Sequence, residues 1–318
     1  MKKLQRWLGS LLVLQLVIAS VFFIEGRSGH ADFKPEPLLS FNKDKVNKIR
    51  VSSGSAKVTL VKDKGQWTLP ELNSLPVSKN KLNTALQNLQ GLSSNWPVTT
   101  TGSSHERFEV SENKFQRKID LYRDEALAGE LFIGSSPGFK KVHVRPAGEN
   151  NVYALLLSAY DFPTKPIDWL DKNLLSAKKI TTIKGPDYAL RKVDEKWQIA
   201  DGIESSKTMA INRDKADQLS QALTSLSVMG LADKAPEFSA EKVVTIEVSG
   251  EDNWQYQFLE KEGKYYVKRG DIAQIFTLNQ HEYQRLASIG MADLSVAVSP
   301  EAPKDAAKDE NANNSQDG

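Results

Sequence analysis

The stretches VTLVKDKGQWTL (residues 58–69) and YALRKVDEKWQI (residues 188–199) are two versions of one pattern. Val58, Leu60, Trp67 and Leu69 recur 130 positions later as Tyr188, Leu190, Trp197 and Ile199. In the first version Gln66-Trp67-Thr68-Leu69 alternates polar with apolar behind a Lys64-Gly65 turn, which predicts a hairpin, and the apolar run at 46–51 predicts a third strand. Each version therefore reads as the opening meander of a folded unit.

Working outward, Ser78 offers an N-cap for KNKLNTALQNLQGL, in which Leu82, Leu86, Leu89 and Leu92 keep the spacing of one helical face. The second version repeats the order. Asn212 offers the cap, and Leu219, Leu223, Leu226 and Met229 lie 137 positions beyond the four leucines, the change of offset falling in a longer loop at 201–210. Strand candidates at 117–122, 128–133, 142–145 and 152–156 follow in the first unit. Later the offset becomes 123, matching Val144 with Val267, Tyr153 with Phe276, Leu155 with Leu278 and Tyr160 with Tyr283. One order of elements, with offsets changing only in loops, is the mark of an internal duplication. The expected fold is α+β, in two tandem homologous units at 41–175 and 176–298, each of antiparallel strands with one packed amphipathic helix. Trp67 and Trp197 are expected to plug the sheet–helix cores against Leu82, Leu86 and Leu89 and against Leu219, Leu223 and Leu226. The competing reading makes them stacking surfaces for a sugar or peptide.

Ahead of these units, residues 7–24 read WLGSLLVLQLVIASVFFI without a charge, about 27 Å of helix against a hydrocarbon core of about 30 Å. Lys2, Lys3 and Arg6 in the basic segment 1–6 would hold the N-terminus in the cytoplasm and send the body across. The expectation is a single-pass bacterial inner-membrane protein with its body in the periplasm. A cleaved signal peptide ending at Gly29-His30-Ala31 is the alternative, but the apolar run is long for one, Glu25 and Arg27 intrude, and Ala31 lies well beyond the run. Residues 25–40, with Pro35 and Pro37, read as an extended linker. Residues 299–318 hold five acids, two bases and no aromatic or β-branched residue, so they are expected to form an unfolded acidic tail.

The chain has 42 basic and 40 acidic residues, and three of the cations precede the apolar run. The body is thus near neutral without a basic block, which argues against a nucleic-acid partner. No cysteine is present, excluding disulfides, thiolate metal sites and a cysteine nucleophile. His30, His105, His143 and His281 are widely spaced, so no metal is expected. Strand alternation sends His143 to the face opposite Val142 and Val144, where solvent is expected.

The order of elements, together with Gly65-Gln66-Trp67-Thr68-Leu69, Ile133-Gly134, Val144-Arg145, Val152-Tyr153-Ala154-Leu155 and Asp168-Trp169-Leu170-Asp171-Lys172, resembles the domain of unknown function 4340 family over about residues 38–290. The resemblance implies one N-terminal anchoring helix and the company of an ABC-type transport system of the gliding-motility kind. It implies no catalytic residues. The second unit departs from the pattern at Glu195-Lys196-Trp197, which lacks the glycine, and at Gly290-Met291-Ala292-Asp293, which lacks the closing tryptophan.

Candidate chemistry is sparse. Gly134-Ser135-Ser136-Pro137-Gly138 fits neither a nucleophile elbow nor a phosphate loop and reads as a hairpin loop. Asp168 and Asp171 flank Trp169 and could be imagined as a carboxylate pair, but the favoured reading is that they cap a helix at the junction between units. No catalytic residue and no cofactor is assigned. The leading expectation is a binding or scaffolding protein accessory to an envelope ABC-type transporter, whose partners are the inner membrane, through residues 7–24, and a transporter subunit. The alternative is a periplasmic enzyme acting on a cell-wall or polysaccharide substrate.

Overall fold

Lys64 and Gly65 both have positive φ, 46° and 86°, the paired left-handed geometry of a two-residue hairpin turn. They fold β2 (Ala56–Asp63) back onto β3 (Gln66–Leu69) with Lys62 opposite Trp67. The computed structural model describes residues 7, 11–20, 35–200, 209–232, 234, 236–239 and 243–297. It is a mixed α+β fold of antiparallel sheets and few helices, dividing into two compact units between Asp171 and Lys172.

In the first unit β1 (Lys48–Ser53), β2, β3 and β4 (Leu75–Pro76) form a meander, and α1 (Lys79–Gln90) follows. The chain then returns to β5 (Arg117–Arg123) beside β1 and continues through β6 (Ala126–Ile133), β7 (Lys141–Pro146) and β8 (Tyr153–Leu156). The sheet order is β4-β3-β2-β1-β5-β6-β7-β8. Ser78 caps α1 by accepting from the Lys81 amide, and Leu82, Ala85, Leu86 and Leu89 form its buried face. Leu92 is also buried, although it lies beyond the helix end.

The second unit runs β9 (Thr182–Lys184), β10 (Ala189–Val193), β11 (Lys196–Ile199), β12 (Met209–Ile211), α2 (Arg213–Thr224), β13 (Gly230–Leu231), β14 (Val243–Ser249), β15 (Asn253–Lys261), β16 (Lys264–Arg269) and β17 (Phe276–Leu278). It ends in α3 (Gln280–Ala287), α4 (Met291–Leu294) and β18 (Ser295–Ala297), which pairs with β12. Its main sheet order is β11-β10-β9-β14-β15-β16-β17-β13. The return strand again lies beside the first strand of the meander, and the registers correspond: Lys192 faces Trp197 as Lys62 faces Trp67, and Val267 faces Phe276 as Val144 faces Tyr153. Asn212 caps α2, and Leu219 and Leu223 are buried on it.

Both units close in the same way despite dissimilar sequences. The Ser78 amide donates to the Trp169 carbonyl at 2.8 Å, and the Asn212 amide donates to the Leu294 carbonyl at 2.9 Å. A backbone bond asks nothing of the side chain, so Trp169 in one unit is answered by Leu294 in the other, each buried.

Several expectations are corrected. Residues 172–175 belong to the second unit, because Arg269 and Tyr256 bind the carbonyls of Leu174 and Leu175. The linker ends earlier than residue 40: Pro37 bridges to Ser93, and Leu38 and Leu39 are buried. Leu226 is buried after α2 has ended, but Met229 is 52% exposed, since the helix stops at Thr224 and its periodicity no longer governs position 229. His143 is buried against Phe108, with ring centroids 4.5 Å apart, because the segment around 102–115 covers that face of β7. Within the expected anchor 7–24, residues 11–20 are helical, and positions 8–10 and 21–24 lie outside the described residues. The segments 1–6, 25–34, 201–208 and 298–318 lie outside them too. Among the described residues no helix is long and apolar enough to cross a membrane.

Candidate functional site

On β3, Trp67 and Leu69 point to one face, as positions two apart must. Leu69 is fully buried and Trp67 only half-buried. Beyond β3 the chain turns through Asn73 and Ser74, both left-handed, and the Val77 amide donates to the Trp67 carbonyl at 2.9 Å before Ser78 starts α1. The first turns of α1 therefore rise beside the indole. Between them lies a cavity of about 450 Å³. Trp67, Val77 and Leu82 supply its apolar lining, and Lys62, Asn83 and Asp171 are among its polar lining. The segment carrying Asp171 is fixed by backbone pairing, its amide donating to the Pro76 carbonyl at 2.9 Å.

Trp197 occupies the equivalent register position and behaves differently. It is 3% exposed, with the Lys192 ammonium 6.0 Å from its ring centroid. A side chain that only plugs a core would be sealed in both units. Trp67 thus departs from the expected core plug, with part of its ring surface facing open space. An indole face beside amide, ammonium and carboxylate groups suits a ligand with flat apolar and hydrogen-bonding parts, such as a peptide segment or a sugar.

Of the closing segment, Asp171 lines the site and the residues before it only position it. Trp169 is buried, its Nε1 donates to the Pro163 carbonyl at 2.7 Å, and the Lys81 ammonium sits 5.4 Å from its ring centroid. Lys81 also donates to the Asp168 carbonyl at 2.8 Å. Asp168 itself is exposed in a single 3₁₀ turn (Pro166–Asp168) whose cap residue, Lys165, makes no side-chain cap. Of the two aspartates singled out in the sequence, only Asp171 reaches the cavity.

Two clusters escape sequence reading because they are assembled across strands. Asp120 lies opposite Arg50 on β1 and Glu130 on β6, and Lys118 bridges the carboxylates at 3.9 and 3.0 Å. Burial raises the Asp120 pKa, with Lys118 opposing and Glu130 reinforcing the shift. At 5% exposure Asp120 leaves little room for a substrate, so the cluster reads as an internal ion network. The second cluster joins Ser135 Oγ to the Phe108 carbonyl and to His143 Nδ1, both at 3.1 Å. A carbonyl only accepts, so the single hydroxyl proton goes to Phe108 and the histidine N–H donates to serine, the reverse of a nucleophile with its base. Burial lowers the His143 pKa. Gly134 is required beside this pair, since a Cβ there would sit 2.0 Å from the Phe108 carbonyl oxygen. Among the described residues no three His, Cys, Asp or Glu side chains gather as a metal would need.

Residues 67–243 match the model of a family described as Domain of unknown function (DUF4340). The match covers more than half of the chain, starts at Trp67 itself and runs into the second unit, so the chain belongs to this family. No curated protein and no solved structure matches it.

Proposed function

We propose that this member of the DUF4340 family is a membrane-tethered periplasmic binding or scaffolding subunit of an envelope ABC-type transport system, and that it holds a partner at the Trp67 cavity. The observation that carries the binding reading is the contrast between the two tryptophans, one open to a cavity and the other sealed at the same register. The tether is supported by the helical residues 11–20, where Leu11, Leu12, Val13, Leu14, Leu16, Val17 and Ile18 are all exposed. Four consecutive members of that set leave no polar face, which suits a lipid surround. The transporter assignment rests on the company implied by the family resemblance. The shared strand order, register and closure of the units support descent from one duplicated unit.

The test is affinity capture of the tagged full-length chain from solubilised membranes, with co-purifying proteins identified by mass spectrometry. ATP-binding or membrane-spanning transporter subunits should be recovered with the parent chain and depleted with Trp67→Ala. Recovery of the folded chain without any transporter component, in a detergent that preserves other transporter complexes, contradicts the proposal.

A further inference from the structure

The chain enters the first unit beside a surface that differs from its counterpart in the second. Pro37 bridges to Ser93, the Ser94 amide donates to the Glu36 carbonyl at 2.7 Å, and Ser94 Oγ accepts from the Glu36 amide at 3.0 Å. Ser93 lines a groove of about 320 Å³ that Leu156 and Lys141 also line. These two residues also line a second cleft, of about 730 Å³, reaching Lys140 and Tyr160. Over this region Leu156 is 70%, Tyr160 88% and Phe139 94% exposed. Lys140 and Lys141 are exposed beside them, and the acid lining the second cleft, Asp161, accepts the Asn88 amide at 3.2 Å.

Two observations mark this surface as built for a partner. Phe139 is displayed by three successive positive-φ residues, Gly138 (103°), Phe139 (53°) and Lys140 (60°). Phe139 and Lys140 are the central pair of a hairpin turn closed by the Lys141 amide on the Gly138 carbonyl at 3.1 Å, positions that suit asparagine and glycine better than phenylalanine, and the phenyl ring placed there is almost wholly exposed. The second unit closes the same place. Tyr283, which stands 123 positions after Tyr160, lies on α3, packs on Tyr265 at 4.9 Å between centroids, and is buried with Leu286.

We infer that this face of the first unit docks on an anionic lipid bilayer, with Phe139, Leu156 and Tyr160 entering the headgroup boundary and Lys140 and Lys141 meeting lipid phosphates. Aromatic and aliphatic side chains rimmed by lysine suit that boundary. The entry point of the chain favours lipid over other occupants. Residues 25–34, between the apolar run and the folded unit, can span at most about 36 Å, and they join the unit at Glu36 and Pro37, beside this face. The inference rests on the tether reading above, and the experiment separates the two.

The chain lacks cysteine, so single-cysteine variants of the full-length protein can carry a polarity-sensitive fluorophore at Leu14→Cys, Phe139→Cys, Tyr160→Cys and, as an exposed control, Lys57→Cys. In lipid discs of mixed anionic and zwitterionic composition, labels at 14, 139 and 160 should emit to the blue of the label at 57 and be quenched by nitroxide lipids. Lys140→Glu with Lys141→Glu should return the label at 139 to a water-like spectrum and leave the label at 14 unchanged. If the label at 14 is in lipid but those at 139 and 160 match the control, the docking inference is wrong and the tether stands. A water-like label at 14 overturns both. Equal quenching at 139 in wholly zwitterionic discs overturns the anionic-lipid assignment.

Discussion

Replacing each of the equivalent tryptophans with alanine, one at a time, separates the core role from the open one. Trp197 is almost wholly buried, so Trp197→Ala removes its transfer free energy and leaves a void in a packed core, about 3 to 5 kcal/mol. Trp67 already borders a cavity of about 450 Å³. Water can enter the enlarged space, so the void term falls away and the loss should be about 2 kcal/mol. The two units need not unfold together, which makes one global melting temperature a poor readout. Hydrogen exchange followed by mass spectrometry resolves them: peptides from β10, β11 and α2 should lose more protection in Trp197→Ala than peptides from β2, β3 and α1 lose in Trp67→Ala. Equal losses, or a larger loss for Trp67→Ala, would show that Trp67 is a core plug like its counterpart and would remove the basis for a site there.

Other substitutions test the remaining steps. Gly134→Ala drives a Cβ into the Phe108 and Glu109 carbonyls and should cost about 2 to 3 kcal/mol, read as a lower denaturation midpoint for the first unit. Ser78→Ala and Asn212→Ala each remove an observed helix cap and should each cost about 1 kcal/mol in the unit affected. The raised Asp120 pKa means that this carboxylate favours the fold while protonated, a contribution present below the ordinary carboxylate range and lost as pH rises through the raised value. Asp120→Asn should therefore raise the melting temperature of the first unit at neutral pH, with the gain shrinking in acid; a constant gain at all pH values would refute this. Burial lowers the His143 pKa, so its contribution runs the other way: it is present above the ordinary histidine range and is lost as pH falls from there through the lowered value.

Much of the architecture was legible because it rests on local rules. The Lys64-Gly65 turn, the Ser78 and Asn212 caps and the apolar faces of α1 and α2 follow from turn chemistry and helical period. The offsets, changing only in loops, anticipated the shared strand order of the two sheets. What escaped depended on contacts distant in sequence. The closing role of Leu294 is carried by a backbone carbonyl, which no side-chain pattern records. Burial of His143 comes from the segment bearing Phe108, and strand alternation describes only the two faces of a strand, not what covers each. Trp67 and Trp197 stand in equivalent positions, and position alone cannot tell an open ring from a sealed one. The Asp120 network needed the pairing of β1, β5 and β6 before its members became neighbours.

The claim that the Trp67 cavity receives a transporter partner is tested most directly by photocrosslinking from its rim in membranes. Asn83 lines the cavity and is exposed, so Asn83→p-benzoylphenylalanine places a reactive group at the mouth, and the same change at exposed Lys57 serves as control. The expected result is a crosslink from position 83 to an ATP-binding or membrane-spanning transporter subunit, absent from position 57. No transporter crosslink from position 83, or equal yields from both positions, would contradict it.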